Sequence, residues 1–190
     1  MFEMDVFVGR ITSTGFSSGD RIVIGDWKES PLGGFTNIMW AKHDGTRVLL
    51  SPSKKHADYV SGLYSFEEVR ITEIDVLRSK GEVSVKGGGL SVRISWGSAV
   101  PLPFWRPLWF VASVEAVLGR AIFGTKTYGR TRDDRRGWYS VRSISRVLEA
   151  EGDINGKKLG QKERFHTTAC FGFSEPPPMP TSVTLKSYIQ

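Results

Sequence analysis

Two apolar runs, FTNIMWA from Phe35 to Ala41 and TRVLLS from Thr46 to Ser51, flank a turn at His43-Asp44-Gly45, and this arrangement restricts the chain more than any other feature. Asp and Gly tolerate the positive φ that a tight reversal demands, so Asp-Gly between β-forming runs predicts a β-hairpin and, with it, antiparallel pairing. A second hairpin is predicted where GEVSVK and LSVRISW flank Gly87-Gly88-Gly89. There Val83, Val85, Leu90, Val92, Ile94 and Trp96 alternate with polar residues, as in a sheet with one wet face. Asp153-Ile154-Asn155-Gly156 marks a third turn, after the strand candidate WYSVRSISRVLEAEG.

Strands are also predicted for Met4 to Ile11, ending at the turn-like run Thr12-Ser13-Thr14-Gly15, for Arg21 to Trp27, and for Thr181 to Ile189 after the break Glu175-Pro176-Pro177-Pro178. From Phe66 to Leu77 the apolar phase changes between Val69/Ile71 and Ile74/Val76, which signals a bulge or bend. A short helix is expected from about Ser53 to Leu63, with Ser53 capping free amides and Ala57, Val60 and Tyr64 at helical spacing. Pro101, Pro103 and Pro107 break the next apolar tract. Two readings of it stand: an extended run around Leu108 to Val114 leading into a helix near Glu115 to Phe123, or one helix from Leu108 with Val111, Val114, Leu118, Ala121 and Ile122 inward. Regular β-helix-β alternation is missing. The expected fold is therefore a β-rich α+β domain spanning 1–190, an antiparallel curved sheet or barrel with two or three short helices; a β-sandwich is the competing architecture.

With 39% hydrophobic residues and six tryptophans the chain can close a core. A lone Cys170 makes no internal disulfide, and the start MFEMDVFVGR has no secretory pattern, so the expected compartment is the cytoplasm. Arg106, Glu115, Arg120 and three prolines interrupt the most apolar tract, which excludes a membrane-spanning helix there. Net charge is +6, and all of the excess lies in the second half. Residues 1–95 carry 12 Lys and Arg against 12 Asp and Glu, whereas 96–190 carry 14 against 8.

That excess centres on a loop containing Arg130, Arg132, Arg135 and Arg136, next to Tyr128, Trp138 and Tyr139. Guanidinium groups with neighbouring rings suit an anion-binding surface for nucleic acid or an anionic cofactor, or a contact with a protein partner. The same residues also suit a solvated crossover loop neutralised by Asp133 and Asp134, and no nucleic-acid-binding motif accompanies them. Trp27, Trp40, Arg106 and Trp109 are the candidate ligand-binding residues: if the sheet closes, they line an apolar cavity with Arg106 as polar anchor, although tryptophans equally fill an aromatic core.

Catalytic signals are sparse. An enzyme would draw on Asp26, Arg106 or His166, while Asp20 and Glu29 are further carboxylates beside a glycine-rich turn. His166 and Cys170 on a straight strand would stand roughly 13 Å apart, too far for direct proton transfer. His43, His56 and His166 lack metal-site spacing, so no metal is expected, and no cofactor or oligomeric state is indicated. Gly87-Gly88-Gly89 lacks the Lys-Ser or Lys-Thr of a phosphate loop.

The segments FSSGDRIVIGDWKESPLG (Phe16 to Gly33), NIMWAKHDGTRVLLSPS (Asn37 to Ser53), PLWFVASVEA (Pro107 to Ala116), TYGRT (Thr127 to Thr131), WYSV (Trp138 to Val141) and FGFSEPPPMPTSV (Phe171 to Val183) resemble a family of uncharacterised proteins of high-GC Gram-positive bacteria. The resemblance covers nearly the whole chain and implies no activity, ligand or catalytic residue. Lys42-His43 stands where the family tends to have Arg-Pro before Asp-Gly, so no special role attaches to His43.

Overall fold

The computed structural model describes residues 4–102, 127–165 and 170–190. Its strands are β1 (Asp5–Phe16), β2 (Arg21–Glu29), β3 (Phe35–Ala41), β4 (Arg47–Ser51), β5 (Glu68–Ile71), β6 (Asp75–Ser79), β7 (Glu82–Gly87), β8 (Leu90–Trp96), β9 (Val100–Pro101), β10 (Tyr128–Arg130), β11 (Arg136–Ile154), β12 (Lys157–Lys158), β13 (Lys162–Glu163) and β14 (Thr181–Ile189). One helix, α1 (Lys54–Leu63), follows β4. The chain is β-rich, as expected, with one helix among the described residues where two or three were predicted; the second predicted helix lies outside them.

The predicted turns set the register. Ala41 faces Arg47, Gly87 faces Leu90, and Ile154 faces Lys157. In the two tighter turns Gly88 and Gly89 have φ of 57° and 83°, and Asn155 and Gly156 have 51° and 82°, the left-handed pairs that match strand twist.

Strand order is β5-β4-β3-β2-β1-β14-β11-β8-β7-β6, antiparallel throughout this path except for the parallel pair β4–β5. The first and last strands of the path, β5 and β6, are joined by residues 72–74 alone, so the sheet must curl until its edges meet. The apolar phase change between Ile71 and Ile74 marks that crossing. Arg78 of β6 reaches across the curl to donate to Asp26 of β2, and the Gly88 amide donates to Thr72 Oγ1, in the β5–β6 crossing, at 3.2 Å. The 19-residue β11 shifts register at Val141/Ser143 and again at Val147/Glu149, pairing with β14 as far as Arg146, across the first bend, and with β8 from Val147, across the second. Such bulges bend a strand, and here they carry it round the half-barrel.

Both faces of β2 to β4 are covered. Ile22, Ile24, Ile38, Trp40, Val48 and Leu50 face the opposite side of the curl, against Val83, Val85, Val92 and Ile94. Val23, Trp27, Phe35, Met39 and Leu49 face outward, under Ala57, Val60 and Leu63 of α1 and under Phe171 and Phe173. Double coverage explains why FTNIMWA is buried at every position.

Two local expectations are corrected. β1 runs straight through Thr12-Ser13-Thr14-Gly15, because a buried Thr12–Ser182 hydroxyl bond of 2.8 Å to β14 satisfies polar side chains that otherwise favour a turn. Ser53 does occupy the N-cap, but its Oγ pairs with His56 Nδ1 at 2.7 Å and caps no amide.

Candidate ligand-binding site

The outward face of β1 to β3 and the inner side of α1 enclose a cavity of about 50 Å³. Strand periodicity places Val23, Gly25 and Trp27 on one face of β2, with Phe35, Asn37 and Met39 beside them on β3. Trp27 Nε1 donates to Asn37 Oδ1 at 3.3 Å, which fixes the indole plane. Phe7 meets Trp27 edge-on, with centroids 5.4 Å apart and planes at 70°, and lies 5.3 Å from the Tyr59 ring of α1. The wall is therefore mostly rings, close enough for favourable edge and tilted contacts.

A cluster of hydroxyls breaks this apolar lining at one end. Tyr64 Oη lies 2.5 Å from Tyr139 Oη and 2.7 Å from Ser174 Oγ, and Ser187 lines the same end. Burial pushes both phenols above the usual tyrosine value, Tyr64 furthest, so both stay neutral and able to donate. Tyr59, at the side, is also pushed up, first by burial and then by donating to Asp5 Oδ2 at 2.6 Å. Among the described residues the lining contains no carboxylate, amine, imidazole or thiol.

Ser174 and Pro176 reach the cavity from the irregular stretch before β14, which is held down by an internal ion pair. Arg21 Nη2 lies 2.7 Å from Glu175 Oε2, and Glu175 Oε1 accepts from the Phe171 amide at 2.6 Å. The Arg21 side chain is 2% exposed, with its guanidinium 3.8 Å over the Phe165 ring. Burial lowers its pKa while the Glu175 carboxylate acts in the opposite direction.

At the end of the sheet formed by the β1–β2 and β3–β4 turns lies a wider, polar cleft of about 370 Å³. Phe16, Asp20, His43, Asp44, Glu163, Arg164 and Phe165 line it. Asp20 Oδ1 accepts from Trp40 Nε1 at 2.7 Å.

The structure separates the predicted ligand-binding residues. Trp27 lines the aromatic cavity, whereas Trp40 projects from the other face of the sheet; Arg106 and Trp109 lie outside the described residues, as does His166. Asp26 is engaged by Arg78 from across the curl and by Thr36 of the neighbouring β3. Burial alone would raise its carboxyl, and these donors more than offset that, holding it below the ordinary range. His43 is exposed in its turn, Glu29 ends β2 exposed, and Cys170 is exposed. Among the described residues no three metal-ligating side chains come together, and no helix is long and apolar enough to cross a membrane.

The arginine loop is occupied with the fold. Arg132 Nη1 donates to Ser61 O at 3.2 Å, while the Arg132 and Asp133 amides donate to Leu63 O and Gly62 O at 3.1 and 2.9 Å. These are carbonyls of the last turn of α1, which has no intrahelical partners for them. Arg130 pairs with Asp134 at 2.5 Å, and Arg135 with Asp133 and Asp5. Arg136 forms backbone bonds to Gln190.

Tyr64, Tyr139, Ser174 and Arg21 carry the site and have no motif. Their partners lie 75 and 110 residues apart for the hydroxyls and 154 for the ion pair, distances over which spacing says nothing. The one hint was Tyr64 closing the helical pattern of α1.

No protein-family model and no curated protein matches the chain. Two solved structures are similar in outline. One is the crystal structure of acetoacetate decarboxylase from Legionella pneumophila subsp. pneumophila str. Philadelphia 1, 10% identical over 99% of this chain and 82% of that one, with a TM-score of 0.41. The other is an acetoacetate decarboxylase, 10% identical over 98% and 84%, with a TM-score of 0.47. At that identity and those scores the likeness bears on neither the site nor its chemistry.

Proposed function

We propose that this chain is a small-molecule-binding domain and that its ligand is a compact neutral molecule with an apolar body and one hydrogen-bonding group. The observation that carries the reading is the Tyr64–Tyr139–Ser174 hydroxyl cluster at one end of an otherwise ring-lined cavity. Apolar walls with a few convergent polar groups are the usual composition of a ligand site. Neutral buried phenols suit recognition of a carbonyl or hydroxyl, and a lining without carboxylate, amine or imidazole suits binding in preference to proton transfer.

Size sets a condition. An apolar protein cavity that takes benzene measures roughly 150 Å³, three times the space found here, so a ring-sized ligand requires the wall to move. The wall that gives is the Ser174–Pro176 stretch, because it lies outside the long strands and is tied down by a few contacts, Arg21 and the Phe171 amide on Glu175 and Tyr64 on Ser174. With a single cysteine, the cytoplasm is the compartment that fits this reading, and membership in the family of high-GC Gram-positive bacteria that the sequence resembles is part of it.

Calorimetric titration with phenol and with toluene tests it. Phenol is expected to bind the native protein and to bind Tyr64→Phe about tenfold more weakly, the equivalent of one good hydrogen bond, whereas toluene affinity is unchanged. Equal loss for both ligands, or no binding of either at millimolar concentration, overturns the reading.

A further inference from the structure

The polar cleft at the turn end of the sheet contains a carboxylate that the fold leaves half-satisfied. Asp20 is 6% exposed, yet its only side-chain partner among the described residues is the Trp40 indole N–H on Oδ1. Oδ2 accepts no hydrogen bond from those residues, and none of their cations comes within ion-pair distance of it. Arg21, next in sequence, is committed to Glu175 and stacks its guanidinium over one face of the Phe165 ring at 3.8 Å, making no ion pair with Asp20. Lys42, over the Trp40 ring at 5.2 Å, is committed to Glu68. A carboxylate has about four acceptor sites, so Oδ2 keeps capacity for donors that enter from the cleft.

The cleft supplies the way in. It holds about 370 Å³, several times the aromatic cavity, and Asp20 is part of its lining. The other charged groups lining it are Asp44, Glu163 and Arg164, so carboxylates outnumber guanidinium groups, with His43 beside them and the rings of Phe16 and Phe165 as apolar surface. Asp44 already accepts from the Thr46 amide at 2.8 Å, which leaves Asp20 as the deep, under-occupied acceptor.

We propose that this cleft is a second binding site, separate from the aromatic cavity, for a small organic cation: a primary ammonium or guanidinium group on a short apolar body, seated with its N–H groups on Asp20 and its body against Phe16 and Phe165. Charge-assisted hydrogen bonds to the Asp20 carboxylate provide the affinity, and the rings add apolar contact that an organic body can use and a hydrated metal ion cannot.

Indole resonances in ¹⁵N-labelled protein test the proposal and separate it from the proposed function, because Trp40 Nε1–H sits on Asp20 and Trp27 Nε1–H sits in the aromatic cavity. At constant ionic strength n-butylammonium chloride is expected to shift the Trp40 resonance saturably and leave that of Trp27 in place, and n-butanol is expected not to move Trp40. Asp20→Asn keeps an oxygen for Trp40 and removes the charge; it is expected to weaken n-butylammonium binding about tenfold or more, whereas Asp44→Asn has little effect. Four results overturn the proposal: no Trp40 shift, the same shift from n-butanol, the same shift from calcium chloride, or undiminished binding by Asp20→Asn. The butanol and calcium comparisons use the native protein and decide the matter even where the variant does not fold.

Discussion

Glu175→Gln would leave the Arg21 guanidinium between phenyl rings with its charge uncompensated, while the glutamine oxygen still serves the Phe171 amide. Removing one member of a buried pair typically costs about 3–5 kcal/mol, far more than the pair itself contributes over apolar residues of the same volume. The expected outcome is a loss of that order by urea denaturation, with most of it regained in the double variant Arg21→Met/Glu175→Gln. Asp26, whose side chain is 13% exposed, gives a prediction with a defined pH dependence. Its folded pKa lies below the unfolded value of about 3.9, so its contribution is complete above that value and disappears as pH falls through the folded pKa. Asp26→Asn is therefore expected to cost about 1–2 kcal/mol near neutral pH and progressively less towards about pH 3. A pH-independent cost, measured by urea midpoints, would show that the Arg78 bonds are not its source. At this scale the sequence reveals a residue's type but not its counterpart. Trp27 stood among the ligand-binding candidates by its residue type, whereas Tyr139 read as a ring beside the arginine loop, and only Tyr64, 75 positions away, shows where its hydroxyl goes.

Strands joined by tight turns were legible because their signals are local. Asp44-Gly45, Gly88-Gly89 and Asn155-Gly156 each demand a particular backbone geometry, and that geometry fixes which residues face one another. β1 was legible only in part. The polar run Thr12 to Gly15 reads as a turn by composition, and only the pairing with β14, some 170 residues on, makes it strand. The arginine loop is the reverse case: its charge was obvious and its task was not, because the α1 carbonyls it meets are invisible in a charge count. Losing the Arg132 side chain removes one donor from that helix end, and Arg132→Ala is expected to lower stability by about 0.5–1 kcal/mol, with faster amide exchange confined to the last turn of α1. Arg132→Lys, which still reaches a carbonyl, should recover most of it. An unchanged exchange pattern in Arg132→Ala would return the loop to the solvated role also consistent with its sequence.

The described residues form a sheet curled on itself, with one core inside the curl and another outside it beneath α1. The inner core faces its own strands across the seam, while the outer one is roofed by α1 and the irregular Phe171–Ser174 stretch, and the aromatic cavity lies in the outer core. The roof is tied down by the Arg21–Glu175 pair, the Ser65–Phe171 backbone bond and the Tyr64–Gly172 bridge; none of these belongs to the long strand ladders, so the roof can shift without breaking one, which is why the ligand is placed there and not inside the curl. Curling was anticipated from the hairpins, but the two-sided burial was not, since alternation in β7 and β8 suggested a single wet face and nothing in FTNIMWA says which neighbours cover each side. The central claim is that the outer cavity receives a small neutral ligand at its hydroxyl end. A crystal structure of the protein soaked with phenol tests it most directly: the account predicts phenol density against Phe7 and Trp27 with its oxygen within hydrogen-bond distance of Tyr64 or Tyr139 and the Ser174–Pro176 stretch displaced outward, whereas an unchanged, empty cavity at saturating phenol would contradict it.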